Sequence, residues 1–84
     1  MTYYMDCVES QHGEGIVYYE VDHDQDVVTR QVEVYGDLML WGDRTAAETC
    51  QICDQNASCL EFTAEHIISR DEFKAAWARA KGRP

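Results

Sequence analysis

The segment "IVYYEVDHDQDVVTRQVEVYGDLMLW", residues 16 to 41, contains three runs rich in valine, tyrosine and leucine, separated by short polar stretches. β-Branched and aromatic residues favour extended strands, whereas "DHDQD" and "GD" are typical of the turns between hairpin strands. We therefore predict three antiparallel strands, over residues 16–21, 27–35 and 38–41.

A fourth strand is predicted before this segment, over "TYYMDCV", residues 2–8. Alternation along a strand places every second side chain on the same face. One face of the first strand is expected to carry Tyr3, Met5 and Cys7. One face of the third is expected to carry Val28, Val32 and Val34. Short connections between consecutive strands indicate an antiparallel meander of about four strands.

Helical signals follow residue 43. Asp43 can cap a short helix over residues 44–50, and Ser69 with Glu72 forms the capping-box pattern at the start of a second helix over 69–82. Four side chains of the second helix recur at helical spacing and are expected to pack on the sheet: Phe73, Ala76, Trp77 and Ala80. The predicted fold class is α+β, with two short-to-medium helices on one face of the sheet.

The length of 84 residues indicates a single domain, residues 1–84, with a small hydrophobic core. It divides into an acidic β-sheet half, 1–43, and a helical half, 44–84, which contains a cysteine and histidine cluster. No apolar run is long enough to span a membrane, and the first residues lack the pattern of a secretory signal. We therefore expect the protein to act in the cytoplasm of a bacterial host cell.

The charge of the chain is unevenly distributed. The net charge is −9, and residues 1–43 account for all of it, with ten acidic residues against Arg30 alone. The six acidic and six basic residues of 44–84 cancel. A surface that binds nucleic acid needs lysine and arginine, so direct nucleic-acid binding is not expected. The acids either keep the protein soluble or attract a basic partner.

The second interpretation predicts a partner-binding surface on the strands. Four acids alternate along the chain and would point one way wherever it stays extended: Glu20, Asp22, Asp24 and Asp26. Glu33 and Asp37 are added as further acids of this surface. Tyr4 and Tyr18 are the expected aromatic anchors, since neighbouring tyrosines in a strand send one ring to each face. A homodimer partner covering that face is the alternative explanation for these rings.

The segment "ETCQICDQNASCLEFTAEH", residues 48–66, contains a possible metal site. Cys50, Cys53, Cys59 and His66 provide three thiolates and an imidazole, the ligand set of a closed structural Zn²⁺ site. Such a zinc ion would fasten the connection between sheet and helix. Reduced thiols without metal, a disulfide from Cys50 or Cys53 to Cys59, and a redox-active pair stay open as alternatives.

The spacing of the cysteines does not define the fourth zinc ligand, and His12, His23 or Cys7 could take the place of His66. The D-x-D-x-D spacing of Asp22, Asp24 and Asp26 is also found in EF-hand loops, but Val27 stands where such a loop needs glycine. A solvated acidic hairpin is the better interpretation. No catalytic motif occurs, and we predict that the protein is not an enzyme.

Two resemblances add to this. "EVDHDQDVVTRQVEVYGD" (20–37) and "SRDEFKAAWARA" (69–80) resemble a group of small uncharacterised bacterial domains with E-x-D and R-x-VE-x-Y strands and an EF-x-x-x-W helix. The cysteine segment departs from that pattern, and the group implies no activity. In size, acidity and lack of catalytic motifs, the chain is similar to phage-encoded anti-CRISPR proteins.

From these observations we predict a non-catalytic acidic inhibitor, monomeric or homodimeric. It would bind the basic nucleic-acid-binding surface of a CRISPR effector and block nucleic-acid engagement. The alternatives are an immunity protein that neutralises a basic nuclease toxin, and a small structural zinc domain of a larger assembly.

Overall fold

A computed structural model describes residues 1–43 and 56–82 of the chain. These residues form an α+β fold in which one five-stranded antiparallel sheet packs against a C-terminal helix, α1 (Arg70–Gly82). The strands are β1 (Thr2–Ser10), β2 (Gly13–Asp22), β3 (Val27–Tyr35), β4 (Leu38–Asp43) and β5 (Ile67–Ile68). Their order in the sheet is β4-β3-β2-β1-β5. The predicted meander of four strands is confirmed.

The fifth strand was not predicted. Ile67 and Ile68 pair with Tyr4 and Tyr3 of β1, and a strand of two residues is too short to show an alternating pattern in the sequence. Two short 3-10 helices, Ala57–Leu60 and Ala64–His66, precede it. The predicted helix over 44–50 lies outside the described residues.

The register of the four long strands arranges one face of the sheet in rows, since directly paired residues point to the same side. The first row is Tyr3, Glu20, Arg30 and Asp43; the second is Met5, Tyr18, Val32 and Trp41; the third is Cys7, Ile16, Val34 and Met39. We call this side the helix face because α1 crosses it. The placement of Tyr3, Met5 and Cys7 on one face is confirmed.

Helix α1 begins where the capping box predicted. The backbone N–H of Glu72 donates to Oγ of Ser69 at 3.0 Å, which satisfies one of the free donors of the first turn. Phe73 and Ala76 are fully buried against the sheet, and the Trp77 ring lies edge-on to Trp41 with centroids 5.5 Å apart. The apolar stripe of the helix therefore covers the first and second rows.

The prediction that Val28 shares a face with Val32 and Val34 is wrong. Glu20 pairs with Arg30 but Val21 pairs with Val28, so β3 has one extra residue at this point. Such a β-bulge shifts the register by one residue, so the side chains beyond it point to the face opposite to the one that simple alternation predicts. Val28 therefore packs with Tyr4 and Val21 on the opposite side of the sheet, which we call the loop face.

The segment 56–66 covers the part of the loop face nearest the β2–β3 turn. The rings of Tyr4 and Phe62 stack with centroids 4.2 Å apart, and Ala57 is buried beside Val28. Of the two helices predicted on one face, α1 lies on the helix face, and the helix over 44–50 lies outside the described residues. The two 3-10 helices lie on the loop face.

Candidate protein-binding site at the distal end of the sheet

The first row of the helix face contains an internal ion pair. Nε and Nη2 of Arg30 both donate to the carboxylate of Glu20, and Oγ1 of Thr29 donates to the same carboxylate at 2.7 Å. The Arg30 guanidinium also lies over the rings of Phe73 and Trp77, 5.3 and 4.9 Å from their centroids. The pair is held between the sheet and α1.

This environment changes the pKa of both groups. Burial acts to raise the pKa of Glu20, but the hydrogen bonds from Arg30 and Thr29 and the positive charge of Arg30 outweigh it, so the pKa lies below its ordinary value. The hydrogen bonds to Glu20 raise the pKa of Arg30. Both groups are therefore charged at neutral pH, and Glu20 is only 6% exposed. Glu20 cannot serve as the surface acid that the sequence predicted.

The predicted row of Glu20, Asp22, Asp24 and Asp26 is not formed, because β2 ends at Asp22 and the chain turns. Oδ1 of Asp22 accepts hydrogen bonds from the backbone N–H groups of Asp24 and Gln25, at 3.0 and 3.3 Å. This turn between β2 and β3 marks what we call the proximal end of the sheet. The interpretation of the segment as an acidic hairpin is confirmed.

Asp26 has a structural part in the proximal end. Its carboxylate accepts hydrogen bonds from the backbone N–H and from Oγ of Ser58, at 2.8 and 2.9 Å. Its backbone oxygen accepts a further bond from the N–H of Ala57 at 2.9 Å. Asp26 therefore fastens the segment 56–66 to the sheet, which leaves Asp24 as the exposed acid of the turn.

The β1–β2 and β3–β4 turns lie together at the other end of the sheet, away from the β2–β3 turn. We call residues 7–16 and 33–39 the distal end. They include four acids and neither lysine nor arginine. Glu9 and Glu14 are direct partners across β1 and β2, so two like charges face each other on the helix face. Glu33 accepts a hydrogen bond from the Tyr35 hydroxyl at 2.6 Å, and Asp37 lies exposed in the β3–β4 turn.

The helix face is open at the distal end. A concavity of about 690 Å³ lies beside Glu9 and Glu14, and Cys7, Ile16 and Val34 form its apolar lining. Cys7 is exposed, and Ile16 and Val34 are half-buried. An apolar floor with an acidic rim fits a partner segment that presents apolar and basic side chains together.

The basic residues of the described chain lie elsewhere. Apart from the paired Arg30, they are all on α1: Arg70, Lys74, Arg79 and Lys81. The Lys81 ammonium lies over the rings of Trp41 and Trp77, 5.0 and 5.4 Å from their centroids. The exposed acids of residues 1–43 thus lie at both ends of the sheet, with Asp24 at the proximal end and Glu9, Glu14 and Asp37 at the distal end.

The two predicted aromatic anchors are parts of the core. Tyr4 is 7% exposed, and its hydroxyl is hydrogen-bonded to Nε2 of His23 at 2.8 Å. Tyr18 is half-buried on the helix face, packed against the cluster that contains Val32 and Ala76. The assignment of Tyr4 as an exposed anchor is wrong, because the segment 56–66 covers it. The part of Tyr18 in partner binding stays a prediction.

Only part of the predicted zinc site can be placed. Cys50 and Cys53 lie outside the described residues, and Cys59 is exposed in the first 3-10 helix. His66 ends the second 3-10 helix, which begins after Thr63. Among residues 1–43 and 56–82, no group of three or more metal-ligating side chains occurs, so the predicted zinc staple of the fold is not found there.

The hydrogen bonds of His66 do not fit a zinc ligand. Its Nδ1 accepts the backbone N–H of Thr63 at 3.0 Å, and its Nε2 lies 3.4 Å from Oδ1 of Asp6. A metal-bound histidine normally donates a proton from its second nitrogen, whereas this one accepts there. In the neutral ring Nε2 then carries the proton and has no lone pair for a metal.

Of the other proposed ligands, Cys7 and His12 lie at the distal end, whereas Cys59 follows Ser58, which is bonded to the proximal Asp26. His23 is at the proximal end, and its Nε2 is bonded to Tyr4. A zinc site on Cys50, Cys53 and Cys59 stays a prediction without an identified fourth ligand.

Comparison with protein-family models, curated protein sequences and solved structures gave no match to this chain. No helix in the described part of the chain is long and apolar enough to cross a membrane. The functional assignment therefore rests on the site itself.

Glu9 and Glu14 are the site residues that the sequence analysis missed. A signal for them exists: the turn at Gln11 and His12 leaves Ser10 opposite Gly13, which makes Glu9 and Glu14 partners. The glycines of "QHGEGI" indicate a turn, but they do not by themselves define which two residues form it.

Proposed function

We propose that this protein is a non-catalytic, anti-CRISPR-like inhibitor whose distal end binds a basic nucleic-acid-binding surface of a CRISPR effector. The observation that supports it is the four acids of the distal end, with no lysine or arginine among them. Acids without local cations give a negative potential that attracts a positively charged cleft and speeds association. The bound inhibitor would then block access of nucleic acid.

The structure of the distal end makes this proposal more specific than charge alone. Glu20 and Asp26 are bonded internally, so the exposed acids left in residues 1–43 are Asp24 at the proximal end and Glu9, Glu14 and Asp37 at the distal end. A zinc ion held by the cysteine segment is a separate proposal. Native mass spectrometry of the intact protein tests it by the added mass of one zinc ion.

The test is binding to purified CRISPR effectors, measured at low and high salt with the wild type and two double variants. Glu9→Gln/Glu14→Gln removes two distal charges. Glu61→Gln/Glu65→Gln removes the same charge from two exposed residues of the loop-face segment. We expect tight binding at low salt, weaker binding at high salt, and a loss in the distal variant alone.

Equal losses in both variants would mean that only net charge matters. Absence of a complex with any effector would refute the proposal. The same measurement with basic nuclease toxins distinguishes the immunity-protein alternative, since that function requires a complex with a toxin and none with an effector.

A further inference from the structure

The outer edge of β1 is only partly used within the described residues. β5 pairs with Tyr3 and Tyr4 alone, whereas β1 continues to Ser10. From Met5 to Ser10, no described strand lies on the side away from β2. An edge strand presents a row of backbone N–H and C=O groups that can pair with another chain.

This open edge borders the distal concavity. Cys7 and Glu9 belong to the edge and also line the concavity, and Glu14 and Ile16 lie behind them on β2. A strand added to the edge would have every second side chain on the helix face. An apolar side chain there would meet Cys7 and Ile16, and a basic one would meet Glu9 and Glu14.

Charge argues against a second copy of this chain as the added strand. Pairing two β1 edges would bring Asp6 and Glu9 of both copies into one interface, near Glu14 of both. Neither β1 nor β2 has a lysine or arginine to compensate. Like charges brought together across strands are destabilising, so this edge favours a cationic strand.

We propose that the outer edge of β1, from Met5 to Ser10, binds an extended cationic segment of the partner as an added sixth strand. Backbone hydrogen bonds would supply affinity, and basic and apolar side chains that share the helix face of the added strand would supply specificity. The inference deepens the proposed function and rests on it, since it names the kind of segment that the distal end binds.

The experiment uses the full chain, ¹⁵N-labelled, and three synthetic peptides. The first has eight residues, with valine and lysine taking turns at the odd positions, which share one face of a strand, and threonine at the even positions. The second has glutamate in place of lysine, and the third is the first peptide with alternate backbone nitrogens methylated, which removes donors on one edge and keeps the charge. NMR titration reports which backbone amides shift and how tightly each peptide binds.

We expect the lysine peptide to shift the amides of residues 5–10 and the other two peptides to bind at least about tenfold more weakly. The Glu9→Gln/Glu14→Gln variant should bind the lysine peptide about three- to tenfold more weakly than the wild type does, as expected for the loss of two exposed ion pairs. Glu61→Gln/Glu65→Gln should leave its affinity unchanged.

The inference would be overturned if the methylated peptide bound as well as its parent, or if the shifts fell on α1 or on the proximal turn. It would also be overturned if hydrogen exchange showed that all amides of residues 5–10 are already protected in the free protein. Dimers that form through these amides without peptide would make a second copy the occupant and overturn it as well.

The failure of the inference is distinguishable from that of the proposed function. An effector complex that needs Glu9 and Glu14 but leaves the β1 edge amides unchanged removes the added strand and keeps the function. Peptide binding at the edge, with no complex formed by any effector, keeps the edge and removes the CRISPR assignment.

Discussion

Two cross-strand pairs on the helix face join a glutamate to a second charged residue, and they differ in the sign of that second charge. Glu20 pairs with Arg30 in the first row, beneath Phe73 and Trp77 of α1. Glu9 pairs with Glu14 at the distal end, beyond the third row. The first pair forms charge-assisted hydrogen bonds between β3 and β2, and its Arg30 guanidinium lies over two rings of α1. The second costs stability, since like charges directly opposite repel.

The comparison separates acids that serve the fold from acids that are left for a partner. Removing Glu20 would take away the main counter-charge of Arg30 under α1 and leave only the weaker attraction of Asp43, so the role of Glu20 is structural. The folded state gains nothing from placing Glu9 opposite Glu14. For this reason the proposed function lies at the distal end, although the sequence pattern pointed to Glu20 and the β2–β3 turn.

The largest expected effect on stability is at Phe73, which is fully buried and whose ring packs on the Arg30 guanidinium. Phe73→Ala leaves a cavity above Tyr3 and Arg30 and should cost about 3–5 kcal/mol, which approaches the whole stability of a small domain. Urea unfolding followed by circular dichroism measures it. Lys74→Ala, at an exposed position of the same helix, should change stability by no more than about 0.5 kcal/mol. Similar losses in both variants would contradict this packing.

The second effect is at the ion pair itself. Glu20→Gln keeps the shape of the side chain but removes the main counter-charge of Arg30, which should cost about 2–3 kcal/mol. Replacing both Glu20 and Arg30 with methionine should recover much of this loss, since no charge is then left unpaired. The measurement is a double-mutant cycle in urea with Glu20→Met, Arg30→Met and the double variant. Additive single and double losses would show that the two side chains are independent.

The pH dependence of stability gives a smaller effect of known sign. The pKa of Glu20 is lower in the folded chain than its ordinary value of 4.5, so the folded state binds fewer protons. Its contribution is therefore complete above the ordinary value and is lost as the pH falls below it. The free energy of unfolding, measured from pH 7 to pH 3, should fall further in the wild type than in Glu20→Gln. Parallel profiles for the two proteins would contradict the lowered pKa.

The sequence predicted what depends on local pattern. Alternation located the four long strands, and Ser69 with Glu72 located the start of α1. Prediction from the sequence failed where one extra residue or a long-range contact determines which face a side chain occupies or whether it is covered. One extra residue at Thr29 moved Val28 to the other face, and the segment 56–66 covered Tyr4, which alternation alone left open to a partner.

The candidate site was predicted in character but not in position. Counting charges located the acids in the first half of the chain, and the proposal of a cationic partner follows from that count. Which acids are available depends on pairing: Arg30 is the one base in residues 1–43, and the bulge places it beside Glu20. Glu9 and Glu14 stand out only when the hairpin register is known.

The smallest effect on stability tests the functional side of the comparison most directly. Glu14→Lys converts the distal like-charge pair into a cross-strand ion pair with Glu9, similar in sign to that of Glu20 and Arg30. Since the pair is exposed, the gain in stability should be only about 0.2–1 kcal/mol.

Binding should change in the opposite direction, because Glu14→Lys also makes the acidic rim of the concavity less negative. Urea unfolding and effector binding, measured on the same variant, should show a slightly more stable protein that binds more weakly. Glu65→Lys, which makes the same charge change on the loop-face segment, should keep the binding of the wild type. A stabilised Glu14→Lys variant that binds as tightly as the wild type would show that the distal acids face no partner.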